Sequence, residues 1–200
     1  PSAADSVGPE SMASLAGRPD ASVLPIVIRT RYFDDWLRAV AVEGPLRQVV
    51  LLGAGLDTRA WRLPWPAGTV VYELDRADVL DVKARTLSSA AANPACDRRP
   101  VAADLASDWR VALCAAGFDA AVRSAWLVEG VLFYLPVSVT HSVLEIVSSL
   151  AAPGSRLGFD VVNAAVLVSP YTKAWIDMQA AAGAPWIGSL DDPGAVLADL

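Results

Sequence analysis

Four acidic side chains recur where apolar runs of this chain come to an end. "QVVLLG" runs into Gly53-Ala54-Gly55 with Asp57 just after; "GTVVYELD" ends on Asp75; "RRPVAADL" ends on Asp104-Leu105; "SAWLVEGVL" delivers Glu129 beside Gly130. A Gly-x-Gly turn after an apolar strand lets backbone approach a nucleotide closely. An acid about 20 residues further on, at a strand's carboxyl end, is placed to accept hydrogen bonds from ribose hydroxyls. Asp75 is last in its strand and takes that role first, with Glu73 on the same pleat face in reserve. The competing reading of Asp75 is a cap for the helix that begins near Ala77. The Asp104 carboxylate can accept from an adenine amino group while the Leu105 N–H donates to a ring nitrogen, or Asp104 can simply begin a helix. Glu129 follows Trp126-Leu127-Val128. A carboxylate in such apolar company needs a partner, and a cationic ligand group would supply one.

Asp57 decides which nucleotide suits the turn. The dinucleotide fingerprint G-x-G-x-x-G asks for a third small residue where Thr58 stands, and a pyrophosphate there would face the Asp57 carboxylate. Such a like-charge pair costs up to about 4 kcal/mol at an effective dielectric near 20, less whatever Arg59 screens. The following helix is cut short by Pro64 and Pro66. S-adenosylmethionine carries a sulfonium and an ammonium and no phosphate, so the sign reverses and Asp57 becomes harmless or helpful. A nicotinamide-dependent oxidoreductase ranks below that reading.

The elements that must hold these residues alternate. Phe33, Trp36, Leu37 and Val40 fall at helical spacing in "PIVIRTRYFDDWLRAVAVEG", with Arg29 and Arg31 near its start and Gly44-Pro45 as its stop. Strands are expected over 48–53, 68–75, 98–105, 124–132 and 156–162, with helices over 77–91, 107–117 and from Leu135 to about Gly154. Alternating apolar strands and helices mean an α/β fold around a parallel sheet. "SPYTKAWIDMQAAAG" (169–183) suggests a further helix, and Asp192-Pro193 caps another. Residues 1–24 are small, polar and Pro/Gly-punctuated, which suggests a mobile arm ahead of one domain over 25–200.

Composition narrows the class. The chain has 200 residues, 54% of them hydrophobic, and a net charge of −6; that fits one globular domain and argues against nucleic acid as a partner. No apolar run reaches the length of a membrane span. The opening residues do not follow the secretory-leader pattern. A cytoplasmic setting is therefore expected, with Cys96 and Cys114 as buried, reduced thiols. One histidine, His141, and two cysteines without ligand spacing give no metal site; His141 reads as structural.

The string "RTRYFDDWL…QVVLLGAGLDTRAWRL…VVYELD…AADL…AWLVEGVLFYLP" resembles the leucine carboxyl methyltransferase family, and within it the actinobacterial branch of S-adenosyl-L-methionine-dependent methyltransferases. The similarity runs from about Ile28 to Gly158, and "GAGLDTRAWRL" and "EGVLFYLP" are its specific parts. It implies a class I methyltransferase fold, Rossmann-like and doubly wound. Methyl-donor contacts then fall on Gly53, Asp75, Asp104, Leu105 and Glu129, with Gly55 in the same turn. An arginine of the preceding helix would pair with the donor's carboxylate, and both Arg29 and Arg31 fit. Family members have more chain before that helix and two further strands, so the reading expects a domain incomplete at both ends, and donor binding without turnover is its alternative.

The activity so inferred is methyl transfer from S-adenosylmethionine to a carboxylate or hydroxyl of a small-molecule or peptide acceptor. A carboxylate acceptor is already ionised and needs no general base, so positioning does most of the catalysis and no catalytic residue is assigned. Phe133 and Tyr134 are candidates for an acceptor pocket, and Trp61, Trp65 and Trp126 lie near the expected ligand edge.

Overall fold

A computed structural model describes residues 24–43 and 46–200. The arm expected over 1–24 lies outside those residues except for Leu24, as does the Gly44-Pro45 stop. The elements in chain order are α1 (Leu24–Glu43), β1 (Gln48–Leu52), α2 (Arg59–Arg62), β2 (Val70–Asp75), α3 (Ala77–Ser89), β3 (Asp97–Ala102), α4 (Arg110–Ala115) and β4 (Ser124–Val128). After a single 3-10 turn (Leu132–Tyr134) come α5 (Val137–Leu150), β5 (Arg156–Phe159), α6 (Ala164–Val168), α7 (Pro170–Ala181) and α8 (Pro193–Ala198).

The five strands form one sheet in the order β3-β2-β1-β4-β5, and every neighbouring pair is parallel. Successive residues of a strand face opposite sides, so each strand feeds two cores. Val50, Leu52, Tyr72, Leu74, Trp126 and Val128 pack on one face with Trp109 and Leu113 of the α4 region and Val143 and Val147 of α5. Val49, Leu51, Val71, Ala125 and Leu127 pack on the other with Phe33 and Leu37 of α1 and Ala60 and Leu63 around α2. Both central strands, β1 and β4, are buried along their whole length, which is why their sequences are unbroken apolar runs.

The order reverses between β1 and β4, and at that point the carboxyl ends of neighbouring strands open a crevice. Leu52 pairs with Leu74, Leu51 with Leu127, Asp75 with Ala102 and Val128 with Phe159. The residues that follow each strand therefore gather on one edge.

Several boundaries differ from expectation for local reasons. β3 ends at Ala102 instead of Leu105: the Ala103 N–H still donates to Asp75 O at 2.9 Å, and the Asp104 carbonyl then accepts from Ser107 N at 2.9 Å, turning the chain. The helix expected over 107–117 contracts to α4, with Asp108 accepting from Arg110 N at 3.1 Å and Gly117 (φ +93°) closing it. Asp192 does cap α8, accepting from Ala195 N at 2.9 Å. Cys114 is exposed and Cys96 half-buried, which corrects the expectation of two buried thiols. Helix α4 is too short to bury more than one face.

Candidate functional site

The glycine turn lies where the topology opens. Gly53 (φ +63°) and Gly55 (φ +42°) both use the left-handed region that disfavours side chains. A Cβ on Gly53 would come within 2.4 Å of Val131 Cγ2, whereas one on Gly55 would meet only Gly53 O at 3.8 Å. Gly53 is thus required for packing against the exit of β4, and Gly55 leaves backbone open to a ligand. A cavity of about 500 Å³ borders the turn, lined among others by Arg29, Gly53, Gly55, Asp57, Arg59 and Glu129. That volume lies in the range of small-molecule sites, about 300–1,000 Å³.

Asp75 ends β2 next to this turn. Its Oδ2 accepts from Gly55 N at 2.6 Å and its Oδ1 from Arg76 N at 2.7 Å. Two backbone donors fix the carboxylate, and its remaining lone pairs stay available to hydroxyl donors. It does not cap α3, whose N-cap position is Arg76, without a side-chain capping hydrogen bond. Glu73, held in reserve from the sequence, is withdrawn from that role: it is fully buried and bonded by Arg98 Nε at 2.8 Å. Lys83 Nζ also lies 2.8 Å from its Oε2. Burial lowers the Lys83 pKa, against the Glu73 charge that raises it. Trp61 closes this cluster, its ring 4.8 Å from the Arg98 guanidinium carbon.

Asp104 is exposed and Leu105 buried, one strand further out, on the same edge as Asp75. Asp104 Oδ1 accepts from Ala106 N at 2.9 Å. Neither residue lines the cavity beside the glycines, and neither does Asp75.

Glu129 does have cationic partners, and they belong to the protein. Arg29 Nε donates to Glu129 Oε1 at 3.0 Å, and Arg59 Nη2 lies 2.7 Å from Glu129 Oε2. Arg59 is the hub of the site. It is 3% exposed, and its Nε donates to Asp34 Oδ1 at 2.7 Å. Its Nη1 pairs with Asp57 and its Nη2 donates to Thr30 O at 3.2 Å. Burial would lower its pKa, but the charges of Asp57, Glu129 and Asp34 outweigh that and raise it. Burial likewise pushes Asp34 up, and the hydrogen bonds of Arg62 and Arg59 overcome it to hold the carboxyl below its ordinary value.

These pairs correct two sequence-level arguments. The Asp57 carboxylate is engaged by the Arg59 guanidinium and by Arg59 N at 2.6 Å, so it exerts far less field on a ligand than a bare acid would. Glu129 likewise needs no ligand cation to compensate its burial. Against a pyrophosphate there remain Thr58 and a helix α2 of only four residues.

The structure also separates the two arginines. Arg29 lines the cavity. Arg31 is exposed, pairs with Asp35 one turn along at 2.6 Å, and is not brought to the site. One residue beside the site escaped the sequence reading: Asp160, directly after β5, accepts from Gly130 N at 2.6 Å through Oδ1 and from Arg29 Nη1 at 3.3 Å through Oδ2. The sequence reading placed it inside a strand over 156–162, whereas β5 ends at Phe159.

The aromatics divide by face. Trp126 is core, 5.2 Å from Phe118, and Trp65 donates to Arg59 O at 2.8 Å. Phe133 and Tyr134 line a second cavity of about 580 Å³, together with Trp175, Trp186, Arg29 and Asp160. Among the described residues no group of three or more His, Cys, Asp or Glu is arranged to hold a metal.

Residues 9–148 match the family model described as leucine carboxyl methyltransferase. A protein of Mycolicibacterium gilvum named "Putative S-adenosyl-L-methionine-dependent methyltransferase" is 46% identical over 170 residues, covering 80% of this chain and 55% of that protein. A protein of Mycolicibacterium smegmatis with the same name is 49% identical over 142 residues, covering 71% and 47%. The chain spans about half the length of the curated relatives it matches. Among solved structures, a DUF574 family protein of Streptomyces avermitilis aligns with a TM-score of 0.66 at 15% identity, over 88% of this chain and 70% of that one. Magnesium protoporphyrin IX methyltransferase of Synechocystis PCC 6803 with bound SAH aligns with a TM-score of 0.53 at 18% identity, over 80% and 68%. At such identities these two bear on the fold alone, and the fold they share with this chain is that of class I methyltransferases.

Proposed function

Because the chain belongs to the leucine carboxyl methyltransferase family, we propose that it binds S-adenosylmethionine and serves methyl transfer to an oxygen nucleophile, a carboxylate or hydroxyl of a small molecule or peptide. The observation that carries this reading is the open Gly53–Gly55 turn at the sheet's switch point, with the Asp75 carboxylate fixed to it through Gly55 N. The residues present fit the donor. Gly55 leaves room for close approach, Asp75 keeps acceptor capacity for ribose hydroxyls, and Asp104 with Leu105 lies one strand further out for adenine. Arg29 offers a guanidinium to a carboxylate, and Glu129 beside it offers a carboxylate to an ammonium. When bound, S-adenosylmethionine supplies an electrophilic methyl group on a positively charged sulfur. The protein's own part is to hold and orient: Arg59 fixes Glu129, Asp34 fixes Arg59, and Asp160 and Glu129 together fix Arg29.

Preorganised side chains of this kind act by placing reactants and excluding water, which agrees with a site that offers no histidine or cysteine. A reduced, cytoplasmic setting belongs to the same proposal. Two free cysteines support it.

Calorimetric titration with S-adenosylhomocysteine and with NAD tests the reading. S-adenosylhomocysteine should bind and NAD should not. Asp75→Asn, which keeps the side chain's shape, should weaken S-adenosylhomocysteine about tenfold or more, the loss of one or two hydrogen bonds to a charged acceptor. Tight NAD binding, or an Asp75→Asn variant with unchanged affinity, would overturn the assignment.

A further inference from the structure

The second cavity has a composition of its own. Phe133, Tyr134, Trp175 and Trp186 bring four aromatic rings to its wall. Phe133 and Trp186 have ring centroids 4.1 Å apart, and Trp175 meets Trp186 edge-on at 4.4 Å. Main-chain bonds hold this wall: Ile187 N and Gly188 N donate to Phe133 O at 2.9 and 3.1 Å. A fixed aromatic wall favours a flat ring system, which gains from stacking and edge contacts. A flexible aliphatic chain loses more freedom on entering. An extended peptide suits the chamber less still, because it brings a donor and an acceptor with every residue. Here Gly130 N is committed to Asp160 and the Thr172 hydroxyl to Val166 O.

Arg29 lines this chamber and the glycine-turn cavity alike, so an occupant of the chamber lies next to the donor site proposed above. Arg29 and Asp160 are the charged side chains among the described residues lining the chamber. Asp160 accepts from Gly130 N through one oxygen and from Arg29 through the other. It therefore exerts less field on an entering anion than a bare acid would, as Asp57 does beside Arg59. Arg29 commits its Nε hydrogen to Glu129 and one Nη1 hydrogen to Asp160, and its remaining N–H groups stay available to the donor's carboxylate. The counter-charge for a carboxylate in the chamber then comes with the donor, whose sulfur is positive, and Arg29 does not have to serve both.

We infer that the Phe133–Trp175–Trp186 chamber is the acceptor site and that it takes a small aromatic carboxylic acid, its ring system among these side chains and its carboxylate toward the donor. This rests on the methyl-transfer reading and narrows the acceptor, from a carboxylate or hydroxyl of a small molecule or peptide, to a flat aromatic acid.

Four probes separate the possibilities in calorimetric titrations at pH 7: 2-naphthoate, its uncharged amide 2-naphthamide, octanoate and N-acetylglycyl-leucine. Each is titrated into protein saturated with sinefungin, a donor analogue carrying an ammonium in place of the sulfonium, or with S-adenosylhomocysteine, whose sulfur is neutral. With sinefungin, 2-naphthoate should bind about tenfold or more tightly than octanoate or the dipeptide. Exchanging sinefungin for S-adenosylhomocysteine should weaken 2-naphthoate about tenfold and leave 2-naphthamide unchanged, since only the anion gains from the added charge. Trp175→Leu should weaken 2-naphthoate and 2-naphthamide about tenfold with S-adenosylhomocysteine affinity unchanged, and the probe series on the unaltered protein stands whether or not that variant folds. Equal or tighter binding of octanoate or the dipeptide overturns the assignment. So does a 2-naphthoate affinity indifferent to the analogue's charge, or one that Trp175→Leu leaves intact. S-adenosylhomocysteine titrated alone distinguishes two failures. If it binds while 2-naphthoate does not, the acceptor site is wrong and the donor site stands; if it does not bind, the methyl-transfer reading falls and takes this inference with it.

Discussion

Replacing Arg59 by methionine should destabilise the protein by the equivalent of one broken buried ion pair. Arg59 is 3% exposed and touches three carboxylates, whose side chains are 8% (Asp34), 14% (Asp57) and 11% (Glu129) exposed. Two of the three keep another guanidinium in the variant: Arg62 Nη2 stays 2.7 Å from Asp34 Oδ1, and Arg29 Nε stays 3.0 Å from Glu129 Oε1. Asp57 alone loses its counter-ion. Removing one partner of a buried pair costs about 3–5 kcal/mol, a large share of a typical total of about 5–15 kcal/mol. Urea unfolding followed by circular dichroism would read it as a lower midpoint at unchanged slope. Adding Asp57→Asn to Arg59→Met should recover a substantial part, since the stranded charge is then gone. The deficit should also shrink in acid. Asp34 has a folded pKa below its ordinary value, so its contribution is fully present above that ordinary value and disappears as the pH falls through the lowered one. A loss under about 1 kcal/mol, or no recovery on adding Asp57→Asn, would refute the claim that Arg59 neutralises Asp57.

Gly53→Ala should cost about 1–3 kcal/mol from a positive φ and a collision with Val131 Cγ2; a Val131→Ala partner should restore only the collision part in thermal melts. Arg31→Ala should shift stability by less than about 0.5 kcal/mol and leave S-adenosylhomocysteine affinity unchanged, being an exposed pair, whereas Arg29→Ala should weaken that ligand in calorimetry. At pH 8 a maleimide should label Cys114 and spare Cys96 in the folded protein, as read by peptide mass spectrometry. Cys114 is exposed, while burial pushes the Cys96 thiol up to about 11 and leaves little thiolate to react.

What the sequence disclosed was whatever depends on local pattern. Unbroken apolar runs announced β1 and β4 because both are sandwiched between helices, and the acids after each strand announced the edge because parallel strands all end on the same side. Pairings across the sheet were hidden. Glu73 and Asp75 share a pleat face, yet Glu73 sits far enough back to be covered by Lys83 of α3 and Arg98 of β3, contacts that two-residue periodicity does not encode. Arg59 stands next to Asp57 in the chain, which hinted at screening, but its bonds to Asp34 and Glu129 depend on how α1 and the exit of β4 pack. Asp160 escaped the strand-end rule because Val161 and Val162 prolong the apolar run past it, while β5 stops at Phe159.

Arg29 is a party wall. It borders both cavities and is held by Glu129 and by Asp160, so whatever displaces the guanidinium in one chamber is felt in the other, and any coupling between two occupants would have to act with equal strength in both directions.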